Sequence, residues 1–302
     1  MVIFDYVNKF VLHDIDIHIP RGVTVGIIGA SGAGKTTFLK LVSGLLKPEL
    51  GRVHTLRQNP VDNKSKIAKR ISVLFSDIPV YEDNLTIMDH LDEIRIMYGM
   101  NKVEFETCLM KISHELNFSE LLHSKPKSLS LGQKRRAELG LTLLRDADLY
   151  IFDEPCIGLD QNGKAAFYKL IDDKKKKGKT ILVSSHDMED ISRIADRVLL
   201  LDKGALAFYG SKEELYKSMA PMEESYIEFE GTIPDISDLE IERYILENDK
   251  LTIQYNSNHV SSKEVLERIC LHSRVKSVIV RRAKLGDTIK QLNGEVKKSE
   301  LY

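Results

Sequence analysis

GASGAGKTT, residues 29–37, follows the apolar run VTVGII, residues 23–28, and leads into a segment of helical periodicity that starts near Lys35. That order of buried strand, glycine turn and helix turns the pattern G-x-x-x-x-G-K-[ST] into a phosphate cradle. Gly29, Gly32 and Gly34 allow the backbone to turn and bring its N–H groups, with the positive end of a helix, against an anion. Lys35 adds a cation suited to β- and γ-phosphates, and the Thr36 hydroxyl is suited to a magnesium ion. Gly29, Ala30, Ser31, Gly32, Ala33, Gly34, Lys35, Thr36 and Thr37 are therefore the expected nucleotide-contacting residues, with Mg2+ and a nucleoside triphosphate as the expected ligands. By itself the loop does not choose among the many enzymes that bind nucleoside triphosphates.

A strand that is apolar at almost every position is buried on both faces, the condition of a parallel sheet. Outward from the loop, strand-like segments at residues 71–75, 149–152 and 180–184 alternate with helical ones at 134–145 and 163–177. This βα alternation predicts an α/β fold with a largely parallel sheet. Residues 11–19, VLHDIDIHI, alternate apolar and polar and predict a half-buried strand. Helical patterns at residues 86–98 and 103–122 predict a helical subdomain spanning about residues 80–145. After residue 211 the periodicity fades; YIEFEG, KLTIQY and KSVIV then read as three strands, with a helix at 261–271. The expected organisation is a first domain over residues 1–215 and a small α+β domain over 222–302.

The second chemical landmark is LYIFDEP, residues 149–155, which places Asp153 and Glu154 at the end of an apolar strand. In open α/β sheets ligands bind at the carboxyl ends of the strands. Asp153 is expected to hold magnesium through water, and Glu154 to orient or deprotonate an attacking water as general base.

Composition narrows the setting. The 302 residues are 42% hydrophobic, enough for a sizeable core. With 44 basic and 45 acidic residues the formal net charge is -1, so no global field draws the chain to nucleic acid or an anionic membrane. Cys108, Cys156 and Cys270 show no metal-ligand spacing, which fits reduced thiols in a cytosolic protein. The first ten residues lack the charged start and apolar core of a signal peptide. Apolar runs such as RVLLLDKGALAF fall short of the roughly 20 residues a membrane-spanning helix needs.

Upstream of the acidic pair, SLSLGQKRRAELG, residues 128–140, resembles the signature of the ABC ATPase family, with LSLGQ standing for LSGGQ. The resemblance implies the fold of a P-loop NTPase with a helical signature subdomain. It also implies a composite site in which Ser130, Gly132 and Gln133 cap the ATP bound by an opposite subunit. GLD ending at Asp160 looks like the D-loop of that family, and SSHD containing His186 looks like its switch histidine, a contact for the γ-phosphate. Tyr6 resembles the aromatic that stacks on adenine, with Phe10 as the alternative ring. Two departures stand out: Leu131 replaces a glycine of the signature, and VLFSDIP offers Ser76 and Asp77 where the family has a glutamine near magnesium. Asp77 is the candidate to reach the metal through water.

The segments around the signature, DEPCIGLD and SSHDMEDISRIADRV look like ATPases of bacterial drug, bacteriocin and polysaccharide export systems. That likeness implies a separate membrane permease as partner, a homodimer or a heterodimer with a second ATPase subunit, no nucleic acid, and a place on the cytoplasmic face of the membrane. The rival readings are a soluble ABC ATPase on ribosomes or nucleic acid, and a regulatory clamp that binds ATP without turnover. A single ATPase unit without sustained heptads or basic excess weighs against the first. Intact Glu154 and His186 weigh against the second.

Overall fold

The computed structural model describes residues 2–5, 10–78, 80–82, 84–219, 222–231, 236, 238–271 and 273–282. It divides into two compact units, Met1–Gly210 and Ser211–Tyr302. Among the described residues of the first unit, β1 (Val2–Asp5) and β2 (Phe10–Leu12) pair antiparallel. The strand expected over residues 11–19 stops at Leu12, because His13 donates its N–H to Gly204 and Asp14 adopts a left-handed φ of 52°. The alternation was nonetheless informative: Ile15 is buried while Asp16 and His18 are exposed.

β3 (Thr24–Ile28) is buried at every position and runs into α1 (Lys35–Ser43) through the glycine loop. Gly34, at the helix N-cap, has a φ of 100°, and a Cβ there would lie 2.5 Å from Leu12 Cδ2, so only glycine fits this turn. β4 (Leu50–Gly51) pairs with β1, and α2 (Lys64–Ala68) precedes β5 (Ile71–Leu74). The helical stretch contains α3 (Ile87–Met97), opened by a Thr86–Asp89 capping box, then α4 (Lys102–Glu115) and α5 (Leu131–Leu144). The long helix expected to residue 122 ends at Glu115; Asn117 turns left-handed and a short 3-10 turn follows at Ser119–Leu121.

Then come β6 (Leu149–Asp153), α6 (Gln161–Lys176), β7 (Thr180–Ser184), α7 (Met188–Ile194), β8 (Arg197–Asp202) and β9 (Ala205–Ser211). The six-stranded sheet has the order β5-β6-β7-β3-β8-β9. β5 to β8 and β3 pair in parallel, so the carboxyl ends of β3, β5, β6 and β7 lie together at one edge. Val25, Ile27, Leu39, Ile151, Leu182 and Leu199 form the core between sheet and α1.

In the second unit, α8 (Lys212–Met219) occupies the stretch where the apolar periodicity of the sequence fades. Ser211 and Glu214 bond each other reciprocally at its start. β10 (Met222–Gly231), β11 (Ile241–Glu247), β12 (Lys250–Asn256), α9 (Ser262–Cys270) and β13 (Ser273–Arg282) complete it. The strands form an antiparallel sheet in the order β11-β12-β10-β13, four strands where three were expected. Ile227, Phe229, Leu251, Ile253 and Tyr255 pack against Val265 and Ile269 of α9 in a core of their own.

Candidate active site

Asp153, at the carboxyl end of β6, is fully buried and its carboxylate collects hydroxyls from three elements. Thr36 Oγ1 from α1 donates to Oδ2 at 2.9 Å, Ser76 Oγ donates to the same oxygen at 2.8 Å, and Ser184 Oγ from β7 donates to Oδ1 at 2.6 Å. A buried carboxylate is tolerated when its lone pairs are satisfied in this way. Lys35 Nζ donates to the carbonyls of Gly29 at 2.7 Å and Ala30 at 3.1 Å, which keeps the ammonium on the rim of the loop.

Glu154 follows with a left-handed φ of 49°, a conformation costing roughly 1–2 kcal/mol for a residue with a Cβ. The bend aims its side chain at the end of β7: Oε2 lies 2.8 Å from His186 Nδ1 and accepts from the His186 backbone N–H at 3.3 Å. Glu154 N–H donates to Ser184 Oγ at 2.9 Å, so one serine links both acids. A carboxylate beside an imidazole at the carboxyl edge of a parallel sheet can orient and deprotonate a water.

Arg135 of α5 stabilises that bend from behind. Its Nη2 donates to the carbonyls of Glu154 at 2.5 Å and Asp153 at 3.3 Å, its Nε to that of Pro155 at 3.1 Å, and its Nη1 to Glu138 at 3.1 Å. Sequence reasoning missed this residue, because KRR reads as a solvated charge run and nothing in it says that the middle member is buried. A second network, also missed, holds the loop of His186. Lys164 Nζ on α6 bonds Asp187 at 3.1 Å and the buried Asp190 at 2.8 Å, and Ser185 Oγ reaches Asp190 at 3.3 Å.

The structure separates Ser76 from Asp77. Asp77 pairs with Lys40 Nζ on α1 at 2.5 Å, while its neighbour Ser76 donates to Asp153. Ser130 is the N-cap of α5, in a capping box with Gln133: Gln133 N–H donates to Ser130 Oγ at 3.3 Å and Ser130 N–H to Gln133 Oε1 at 2.9 Å. The start of α5 presses on the D-loop, since a Cβ on Gly132 would stand 2.8 Å from the Gly158 carbonyl oxygen. Asp160 caps α6 by accepting from Gly163 N–H at 2.8 Å and also takes Arg136 at 2.6 Å. The Gly163 N–H, then Arg136, hold its carboxyl below the usual range. Tyr6 lies outside the described residues.

Among the described residues no group of three or more His, Cys, Asp or Glu side chains is placed to hold a metal. Thr36, Ser76 and Asp153 bring three hard oxygens together, a chemistry that could hold a magnesium ion. No helix of the described residues is long and apolar enough to cross a membrane.

A glycine loop after β3, its lysine and threonine, and an Asp–Glu pair at the end of β6, one strand removed across the sheet, define a P-loop nucleoside triphosphate hydrolase. The profile of the family described as ABC transporter matches residues 12–157. The chain is 30% identical over 226 residues to the ABC transporter ATP-binding protein NatA of Bacillus subtilis (75% of this chain and 92% of NatA). It is 32% identical over 220 residues to the energy-coupling factor transporter ATP-binding protein EcfA2 of Clostridioides difficile (69% and 75%). A solved ATP-binding subunit of an ABC transporter superposes with a TM-score of 0.68 at 28% identity, covering 72% of this chain and 90% of that one. The dimeric cassette MJ0796, bound to ADP and Pi, shares the fold, with a TM-score of 0.63 at 22% identity over 70% and 95% of the chains. The chain belongs to the ABC transporter ATP-binding subunits and is an ATPase.

Proposed function

We propose that two such cassettes, two copies of this chain or one with a partner ATPase subunit, clasp ATP between them and drive a separate membrane permease. The observation that carries this reading is the meeting of Thr36, Asp153, Glu154 and His186 at one sheet edge, while the hydrogen bonds of Ser130 and Gln133 close on each other at the start of α5. Lys35 and the loop amides bind the phosphates, Glu154 orients the water and takes its proton, and His186 contacts the γ-phosphate. Thr36 and Asp153 would hold a magnesium ion, which would supply charge neutralisation on the phosphates. Ser130 and the Gly132 N–H, at a helix N-terminus, serve the nucleotide of the opposite cassette.

Loss of the γ-phosphate removes the contacts that hold the cassettes together, and reopening resets the permease. The direction proposed is export, on the likeness of the signature and switch segments to export ATPases. The relatives also include proteins named for import, such as GlcV of Saccharolobus solfataricus and UgpC of Chromobacterium violaceum. Transport by the reconstituted complex in inverted and right-side-out vesicles decides the direction. The composite dimer is tested with Glu154→Gln, which should elute as an ATP-dependent dimer on size exclusion; a variant that stays monomeric at saturating ATP, both alone and with the co-purified partner ATPase subunit, removes the reading.

A further inference from the structure

Where the chain leaves β5, two adjacent polar residues go to different partners. Asp77 Oδ2 takes Lys40 Nζ at 2.5 Å, whereas Ser76 Oγ lies 2.8 Å from Asp153 Oδ2, the oxygen that Thr36 Oγ1 reaches at 2.9 Å. We propose that Ser76 is a metal-site residue of this chain, its hydroxyl oxygen joining those of Thr36 and Asp153 around the divalent cation of a metal–nucleotide complex. The proposal deepens the reading of the site as a magnesium-dependent ATPase and rests on it.

Two features of the geometry favour this role over mere satisfaction of a buried carboxylate. Asp153 already receives Ser184 on Oδ1 and Thr36 on Oδ2, so its charge is answered without Ser76. A hydroxyl donates one hydrogen and keeps two lone pairs, so Ser76 can donate to Asp153 and still present an oxygen to a cation or to its bound water.

The test uses the full chain and a non-hydrolysable ATP analogue, with calorimetric affinity measured in Mg2+ and in EDTA. Its readout is the factor by which Mg2+ tightens nucleotide binding, which needs no turnover. In Ser76→Ala that factor should fall about tenfold, the scale of a lost metal-shell oxygen, while affinity in EDTA is unchanged. Ser76→Thr, which retains the hydroxyl, should keep the wild-type factor. An unchanged factor in Ser76→Ala, an equal fall in Ser76→Thr, or a matching loss in EDTA would each overturn the proposal. A wild-type chain whose affinity ignores Mg2+ would remove the metal-dependent reading itself, an outcome distinct from failure of Ser76 alone.

Discussion

At the scale of single residues, the site is built around a bend at Glu154 that the side chain itself disfavours. The left-handed φ of 49° is held because Arg135 takes three successive carbonyls, those of Asp153, Glu154 and Pro155, in one fork. Lysine carries the same charge but not the planar fork, so it cannot reproduce this grip. Arg135→Lys should therefore lower steady-state ATP hydrolysis about tenfold or more by misplacing Glu154, with nucleotide affinity by calorimetry unchanged. Glu154→Gln removes the proton acceptor itself and should cost about 10²–10⁴-fold in turnover at similar affinity. Equal losses of affinity and turnover in either variant would place the defect in the phosphate loop instead. Lys35, Thr36, Asp153, Glu154 and His186 were legible in the sequence because their chemistry is tied to strand ends and a glycine turn. Arg135 and Ser76 were not, since each acts through a partner distant along the chain, and neither a KRR run nor a serine before an aspartate reveals that partner.

At the scale of elements, burial on both faces made β3, β6 and β7 plain in the sequence, and they are buried throughout. β11 was not read because, at the sheet edge, it is exposed at most positions and its residues, IERYILE, never settle into alternation. β8 and β9 were read only as an apolar run too short for a membrane, although residues 203–204 turn the chain between two strands. α6 carries a further property that spacing does not show. Its Lys174 is a member of a lysine run that reads as a solvated helix end, yet it is buried, donates to the carbonyls of Leu143 at 3.0 Å and Arg145 at 3.5 Å, and lies 4.8 Å from the centre of the Tyr150 ring. Burial brings its pKa down to about 8 from an ordinary 10.5. Between those values the unfolded chain binds the proton that the folded chain has released, so stability rises with pH, and it is lost again as pH falls toward 8. Relative to Lys174→Met, the wild type should gain up to about 1.4 kcal/mol per pH unit across this window. Urea unfolding of both proteins at the two ends of the window reads the difference directly, and parallel pH dependences would mean that Lys174 titrates as an exposed lysine.

At the scale of the whole molecule, the chemistry and the second core belong to different units. All the described residues assigned here to nucleotide, water or metal lie within Met1–Gly210, and the buried clusters around Val25 and around Ile253 have no member in common. The match to the ABC transporter profile, residues 12–157, also falls inside the first unit. A unit with its own core folds without its neighbour when the cut leaves its strands paired. The break after Gly210 trims one residue from β9, at its far end from the turn to β8, and severs nothing around Asp153. A fragment ending at residue 210 should therefore unfold in one cooperative transition and bind ATP within about threefold of the full chain, a difference under about 1 kcal/mol. Circular dichroism against temperature and calorimetric titration check the two halves of this expectation. If the fragment folds but binds ATP more than tenfold weaker, the second unit takes part in forming the nucleotide site. If it does not fold, the first core depends on Ser211–Tyr302 in spite of having no residue in common with the second.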